Sequence, residues 1–190
     1  MGQKTCGIAL LHICINWFNM GKLQGNIRKL FMQLTHFTDL GLRVLMYLSH
    51  KDRQEPVTIS EIASKFSISR NHLVKVVHFL AQKNWIITTR GKGGGMTLAR
   101  DIKTYRLGSI IRELEGGDAL IDCATPPCVL RGNCQLKSVL DRAMSVFYNA
   151  LDEYTLQDAV GGNTQEAIIM LHRSGIVDQS KLPYLSHAQS

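Results

Sequence analysis

The residues best suited to chemistry lie in one short segment, from Cys123 to Cys134. Three of the five cysteines fall within these twelve residues with the spacing C-x4-C-x5-C, and Cys128 is the middle one. Two prolines and a glycine in the segment rule out a regular helix or strand, so we expect the thiols on a loop. Such a loop indicates a thiolate-ligated metal centre. A disulfide with a spare thiol, redox-active thiols, and three cysteines without a common function are the alternatives.

The spacing favours an iron–sulfur cluster over a structural zinc ion. Zinc sites usually pair cysteines about two to four residues apart and draw four ligands from Cys and His. Here the gaps are wider, the segment holds no fourth Cys or His, and His172 and His187 lie far downstream. Three thiolates completed by a remote, harder ligand would leave one corner of a [4Fe-4S] or [2Fe-2S] cluster weakly held. A small molecule could attack that corner, which is more typical of a sensor than of a structural site.

The charge pattern indicates a polyanionic partner for the middle of the chain. The 190 residues carry a formal net charge of +7. Residues 53–100 hold eight basic and two acidic residues, a net +6, whereas residues 101–190 carry a net −3. A local excess of positive charge is typical of a DNA-binding surface. Because no nucleophile–base pair and no paired carboxylates emerge, an enzyme is the least favoured class.

The composition suits a globular protein, with 45% hydrophobic and 19% charged residues. No run of about 18 apolar residues is present, so we expect no membrane-spanning helix. Clustered thiols without a paired pattern fit the reducing cytoplasm better than secretion. Residues 1–31 differ in pattern from the rest of the chain, and we interpret them as a non-native or upstream-start extension before a plausible native start at Met32.

The elements that must position these residues begin with three helices. Apolar residues at three- and four-residue steps predict a first helix over residues 37–48. Thr58 and Glu61 have the spacing of a capping box, which predicts the start of a second helix. Ser69 is expected to cap a third helix that runs to residue 80. The apolar side of this third helix comprises Leu73, Val76, Val77 and Leu80.

A β-hairpin is predicted next, because a β-branched and aromatic run at 85–90 is followed by a glycine-rich tip at 91–95 and a second run at 96–98. Helices, tight turn and basic hairpin together predict a winged helix-turn-helix, a mainly α fold with a small β-hairpin. We expect residues of the second helix, the third helix and the wing to contact double-stranded DNA. They are Ile59, Ser60, Ser69, Arg70, Asn71, His72, Lys75, Gln82, Arg90, Gly91, Lys92 and Gly93.

A long helix is predicted after the cysteine segment, because apolar residues recur at three- and four-residue steps. They are Leu136, Leu140, Ala143, Phe147, Leu151 and Tyr154. A helix of this length beside a small domain indicates a homodimer, with an ordinary core helix as the alternative. The predicted organisation is an extension (1–31), a DNA-binding domain (32–100), a cluster loop with a dimerisation helix (101–160), and a flexible tail (161–190).

The chain resembles the Rrf-two family of bacterial transcription regulators, and within it the nitric-oxide-sensitive repressors. The resemblance covers about residues 32–160 and rests on the three cysteines and six stretches. The stretches are Met32-Gln33-Leu34-Thr35, Phe37-Thr38-Asp39, Ile68-Ser69-Arg70-Asn71-His72-Leu73-Val74-Lys75, Arg90-Gly91-Lys92-Gly93-Gly94-Gly95, Arg112-Glu113-Leu114-Glu115 and Tyr154-Thr155-Leu156.

The resemblance implies a dimeric repressor that holds an iron–sulfur cluster on Cys123, Cys128 and Cys134. It also implies a fourth ligand from helix one of the partner subunit, an aspartate that corresponds to Asp39. Nitric oxide would then release the dimer from promoters of detoxification genes. A regulator of the same fold that senses iron–sulfur supply or redox state, and a zinc- or thiol-based DNA-binding protein, remain the alternatives.

Overall fold

The computed structural model describes residues 33–53, 55–117 and 119–173. It consists of helices α1 (His36–Leu48), α2 (Ile59–Lys65) and α3 (Arg70–Gln82), strands β1 (Ile86–Thr88) and β2 (Met96–Leu98), a 3-10 helix (Ile102–Thr104), and helices α4 (Leu107–Leu114), α5 (Gln135–Asp152), α6 (Leu156–Ala159) and α7 (Asn163–Arg173). The predicted class, mainly helical with one antiparallel hairpin, is confirmed. None of the described helices is long and apolar enough to cross a membrane. The predicted extension at 1–31 lies outside the described residues.

The first helices begin at polar side chains that bind their free amides. Thr35 caps α1 by accepting a hydrogen bond from the Thr38 amide at 3.2 Å. Thr58 caps α2 by accepting one from the Glu61 amide at 3.2 Å. Ser69 occupies the N-cap position of α3, although its side chain makes no capping hydrogen bond. The four predicted inward residues of α3 are all buried: Leu73, Val76, Val77 and Leu80.

The main core lies where α1, α3 and the hairpin meet. Val44 and Leu45 of α1 are fully buried there, in one cluster with Leu114 of α4. Gly41 permits this contact, because a Cβ on Gly41 would lie 2.9 Å from Cδ1 of Leu114. The glycine therefore sets how closely α4 can approach α1.

Helices α4 and α5 form a second contact, centred on Ile111, Met144 and Tyr148. A Cβ on Gly108 would lie only 2.1 Å from the carbonyl oxygen of Tyr148, so the two backbones touch at this glycine. Asp152, at the end of α5, accepts hydrogen bonds at Oδ1 from the amide and the hydroxyl of the next residue of α4, Ser109, at 2.7 and 3.0 Å. This helix pair places the loop that joins α4 to α5.

The end of the described chain differs from the expected flexible tail. Residues 163–173 form α7, whose Ile168 is buried in the main core. The His172 ring stacks on the Tyr47 ring of α1, with the centroids 3.9 Å apart. Leu171 packs against the same core and is partly buried. Three inward side chains leave a weak sequence pattern. Residues 174–190 lie outside the described residues.

Candidate nucleic-acid interface and metal centre

The glycine run forms the tip of the hairpin. Strands β1 and β2 pair in register from Ile86 opposite Leu98 to Thr88 opposite Met96. Gly91 and Gly93 have φ values of 98° and 79°, which side-chain-bearing residues rarely adopt. A Cβ on the next residue, Gly94, would lie 2.3 Å from the carbonyl oxygen of Thr89. The glycines are therefore required by the turn, and they leave an exposed backbone that could approach phosphates closely.

The wing is attached directly to the helix-turn-helix. The Met96 amide donates a hydrogen bond to the carbonyl oxygen of Val57 at 2.7 Å, and these two residues form an antiparallel bridge. A Cβ on Gly95 would lie 2.7 Å from that same oxygen. Val57 directly precedes the Thr58 cap of α2, so the wing and α2 share one anchor. The sequence analysis did not predict this anchoring role of Val57. The local pattern shows no more than a β-branched side chain between Pro56 and the Thr58 cap.

The predicted DNA contacts occupy exposed positions, with one exception. Ser60, Ser69, the polar residues of α3 and the wing residues at 90–93 are all exposed. Ile59 instead is half-buried and packs against the main core, because it lies on the inner side of the first turn of α2. The exposed face of α3 also includes Val74, an apolar residue that the sequence pattern did not assign to DNA. Individual base and phosphate contacts remain predictions.

A polar cluster fixes α2 against α1. The Tyr47 hydroxyl donates to Oε1 of Glu61 at 2.7 Å, and the Arg53 guanidinium donates to both carboxylate oxygens at 2.6 and 3.2 Å. Burial raises the pKa of Tyr47, and its hydrogen bond to Glu61 acts in the same direction. Burial alone would also raise the pKa of Glu61, but the hydrogen bonds from Arg53 and Tyr47 lower it overall. Glu61 thus joins α2 to Tyr47 of α1 and to Arg53.

The three cysteines lie on the loop between α4 and α5 as free thiols. The Cys128 amide donates to the Cys123 carbonyl oxygen at 3.1 Å, so these two residues belong to one tight turn. Cys134 is the N-cap of α5, and its Sγ accepts a hydrogen bond from the Lys137 amide at 3.5 Å. In the part of the chain that the structure describes, no three His, Cys, Asp or Glu side chains are arranged as a metal site.

Lys137 adds a positive charge beside the thiols. Its Nζ lies 2.5 Å from Oδ2 of Asp141, and this hydrogen bond raises the pKa of Lys137. Cys123 and Cys134 are close enough to act on the same ammonium in the same direction. Unpaired thiols, an amide hydrogen bond to sulfur and a nearby cation are chemistry that fits thiolate ligation of an iron–sulfur cluster.

Asp39 lies in the first turn of α1, where the helix dipole favours a negative charge. Its Oδ1 accepts a hydrogen bond from Nε of Arg43 at 2.8 Å, and its Oδ2 lies 3.9 Å from Nδ1 of His36. The Asp39 side chain is 41% exposed. An ion pair this exposed contributes about 0–1 kcal/mol, so the carboxylate could exchange Arg43 for another partner. Its pairing with the cysteine loop of a second protomer remains a prediction.

The winged helix-turn-helix, with its long helix and thiol-bearing loop, defines a DNA-binding transcription regulator. A family model described as an iron-dependent transcriptional regulator, Rrf2, matches residues 34–162. The chain belongs to the Rrf2 family of transcriptional regulators.

Individual relatives agree with this assignment. The HTH-type transcriptional regulator NsrR of Bacillus licheniformis is 40% identical over 132 residues, which cover 68% of this chain and 92% of the relative. The global cysteine regulator CymR of B. subtilis has a similar structure, with a TM-score of 0.55 and 25% identity over 68% of this chain and 96% of that one. T. potens IscR shares the fold at a TM-score of 0.54 and 22% identity, over 72% and 88% of the two chains. These relatives are regulators and not enzymes, in agreement with the sequence analysis.

Proposed function

We propose that this protein is a homodimeric, nitric-oxide-sensitive repressor whose affinity for operator DNA depends on an iron–sulfur cluster. The observation that carries the proposal is the set of three unpaired thiols on one loop of a winged-helix regulator. Support comes from the 40% identity to a regulator named NsrR. The proposal places the protein in the cytoplasm, where unpaired thiols stay reduced.

The cluster would be held by Cys123, Cys128 and Cys134, with Asp39 of a second protomer as the fourth ligand. When bound, it supplies iron atoms that a small molecule such as nitric oxide can reach where the ligand is weakest. The amide of Lys137 donates to the sulfur of Cys134, and the ammonium of Lys137 balances thiolate charge. Asp39 must break its ion pair with Arg43 to act as a ligand. Because this ion pair is exposed, breaking it costs little free energy.

The outer face of α5 supports the homodimer. Leu136, Val139 and Val146 are 63%, 62% and 63% exposed, and Ala143 and Ala150 are exposed between and after them. These five positions follow the three- and four-residue alternation of a coiled-coil seam. The opposite face already packs against α4 through Met144 and Tyr148. A second copy of α5 is the occupant that would cover an apolar seam of this spacing.

A two-fold dimer would present two α3 helices to successive turns of the major groove, with the wings on the flanking backbone. The polar residues of α3 would read base edges, while Arg90 and Lys92 would bind phosphates. A cluster that binds the three thiols of one protomer and Asp39 of the other would fix the spacing of the two α3 helices. Release of Asp39 would remove that restraint and lower operator affinity. A coupling of about 3 kcal/mol would change the affinity roughly 150-fold.

Alanine substitution of the middle cysteine tests the proposal. We expect anaerobically purified Cys128→Ala protein to contain less iron and sulfide than wild type and to bind operator DNA weakly, without a response to nitric oxide. Cys14→Ala is the matched control, since Cys14 lies outside the loop segment, and should behave as wild type. If Cys128→Ala protein still releases its operator on exposure to nitric oxide, the proposal is wrong.

The same preparations distinguish the alternatives. Cluster-containing wild type that keeps its DNA under nitric oxide would indicate a regulator of iron–sulfur supply or redox state. Colourless wild type with one zinc ion per chain would indicate a zinc- or thiol-based DNA-binding protein.

A further inference from the structure

The first turn of α1 lies against α3 at two points. The rings of His36 and His72 meet edge to face, with centroids 6.3 Å apart at an interplanar angle of 87°. One residue further along α1, Phe37 meets Phe79 in the same geometry at 5.4 Å. Phe37 and Phe79 pack against the main core, whereas both histidines are exposed. The histidine contact is therefore the one that can change without disturbing the core.

His36 also lies near the proposed cluster ligand. Its Nδ1 lies 3.9 Å from Oδ2 of Asp39, while Arg43 binds the other carboxylate oxygen. His36 is thus a neighbour of Asp39 on one side and of His72 on the other. His72 belongs to the exposed face of α3 that is expected to read DNA. Within one protomer, His36 therefore lies between a candidate cluster ligand, Asp39, and a candidate base-reading residue, His72.

We propose that His36 is a positioning residue that transmits the position of Asp39 to His72. The inference rests on the proposed function and adds a second path by which cluster binding changes operator affinity. In that function, ligation of Asp39 to the cluster held by the partner's cysteine loop sets the spacing of the two α3 helices. On this second path, a change in the position of Asp39 on ligation shifts the His36 ring, and the His36 ring shifts the His72 side chain of the same protomer. Operator affinity therefore depends on the ligation of Asp39 through contacts within each protomer as well as through the arrangement of the dimer.

The test compares operator affinity with and without the cluster for wild type, His36→Ala and His36→Phe. An edge-to-face aromatic contact is weak, so we expect His36→Ala to reduce the ratio of the two affinities roughly 2- to 10-fold. His36→Phe keeps a ring against His72 but has no nitrogen to face Asp39, so its ratio should fall as well. If His36 did no more than pack against His72, His36→Phe would keep the wild-type ratio. His50→Ala is the control, a histidine just past the other end of α1, and should keep the wild-type ratio.

A second measurement uses cluster-free protein. In wild-type background, Asp39→Asn should shift the ring resonances of His72 in a ¹H–¹³C spectrum at fixed pH, and in His36→Ala background it should not. Shifts of equal size in both backgrounds, no shift in either, or a wild-type affinity ratio in His36→Ala would overturn the inference. Equal operator affinity of wild type with and without the cluster would instead overturn the proposed function, and the spectra would still decide the role of His36.

Discussion

Glu115 and Thr35 connect the start of the cysteine loop to the start of α1. Oε1 of Glu115 accepts hydrogen bonds from the Thr35 amide at 2.8 Å and from its hydroxyl at 3.2 Å. Glu115 is the C-cap of α4, where the chain departs toward Cys123, and Thr35 is the N-cap of α1, one turn before Asp39. The two residues are 80 positions apart in the chain. Any movement of the loop root therefore reaches the helix that carries Asp39.

Glu115→Ala is expected to weaken both the fold and the switch. It leaves the Thr35 amide without its carboxylate acceptor, which should lower the free energy of unfolding by about 1 kcal/mol. The ratio of operator affinities with and without the cluster should fall too. Urea unfolding and operator titrations measure the two effects. Glu113→Ala is the control, because the interaction of Glu113 within the described residues is an exposed ion pair with Lys83, worth about 0–1 kcal/mol. Equal effects of the two substitutions on the affinity ratio would contradict the assigned role of Glu115.

Gly94→Ala is expected to distort the wing without unfolding the core. The added Cβ would meet the Thr89 carbonyl oxygen at 2.3 Å, so the tip must change shape. Operator affinity should fall, and the salt dependence of binding should become shallower as Arg90 and Lys92 lose phosphate contacts. Gly161→Ala provides the control, since its Cβ would meet the nearest carbonyl oxygen at an ordinary 3.6 Å. An unchanged salt slope for Gly94→Ala would show that the wing does not bind phosphates.

Docking of α7 is expected to weaken at mildly acidic pH. Nδ1 of His172 lies 3.1 Å from Nη1 of Arg53, which can only donate, so the neutral ring accepts there and donates from Nε2 to the Tyr47 carbonyl oxygen at 3.0 Å. Burial lowers the pKa of His172 from its ordinary 6.5, and the nearby His50 and Arg53 act in the same direction. The unfolded chain therefore binds this proton more readily than the folded chain.

The resulting stability is complete above about pH 6.5 and declines as the pH falls below that value. Urea midpoints measured from pH 8 to pH 5 should show this decline in wild type and a smaller decline in His172→Ala. The Glu61 interactions are lost at lower pH than the His172 interactions. The pKa of Glu61 is lowered from its ordinary 4.5, so its contribution to stability is complete above about that pH and declines below it. Identical pH profiles between pH 8 and pH 5 for wild type and His172→Ala would contradict the assigned docking.

Val146→Asp is expected to convert the dimer to a monomer. The side chain is 63% exposed in the single chain and lies on the proposed seam, so a charge there harms the dimer far more than the protomer fold. Sedimentation velocity gives the oligomeric state, and circular dichroism checks the helix content. Ser145→Asp places the same charge on the same helix away from the seam and should leave the dimer intact. A dimeric Val146→Asp protein would place the interface elsewhere.

The DNA-binding elements were predictable because their signals are local. Thr58 caps its helix as the spacing indicated, and the inward face of α3 is the predicted one. The stripe predicted on α5 is only partly right, since Phe147 and Leu151 pack against α4 while Val139 and Val146 remain exposed. Three- and four-residue steps run along both apolar faces of this helix, so periodicity alone cannot separate them.

The contacts that the sequence did not reveal are long-range. The Val57–Met96 bridge, the Thr35–Glu115 hydrogen bonds and the stacking of His172 on Tyr47 join residues with no common local pattern. The cysteine loop is an intermediate case. Its spacing identified three candidate ligands, but the position of Lys137 beside Cys123 and Cys134 depends on how α5 begins at Cys134.

Titration of anaerobic wild-type protein with nitric oxide shows whether a cluster on the cysteine loop controls operator binding. The visible spectrum and the fraction of bound operator are measured on the same samples. If the cluster does control binding, an iron–sulfur spectrum is present and bleaches in step with release of the DNA. Bleaching of the spectrum with full retention of the operator would contradict control by the cluster.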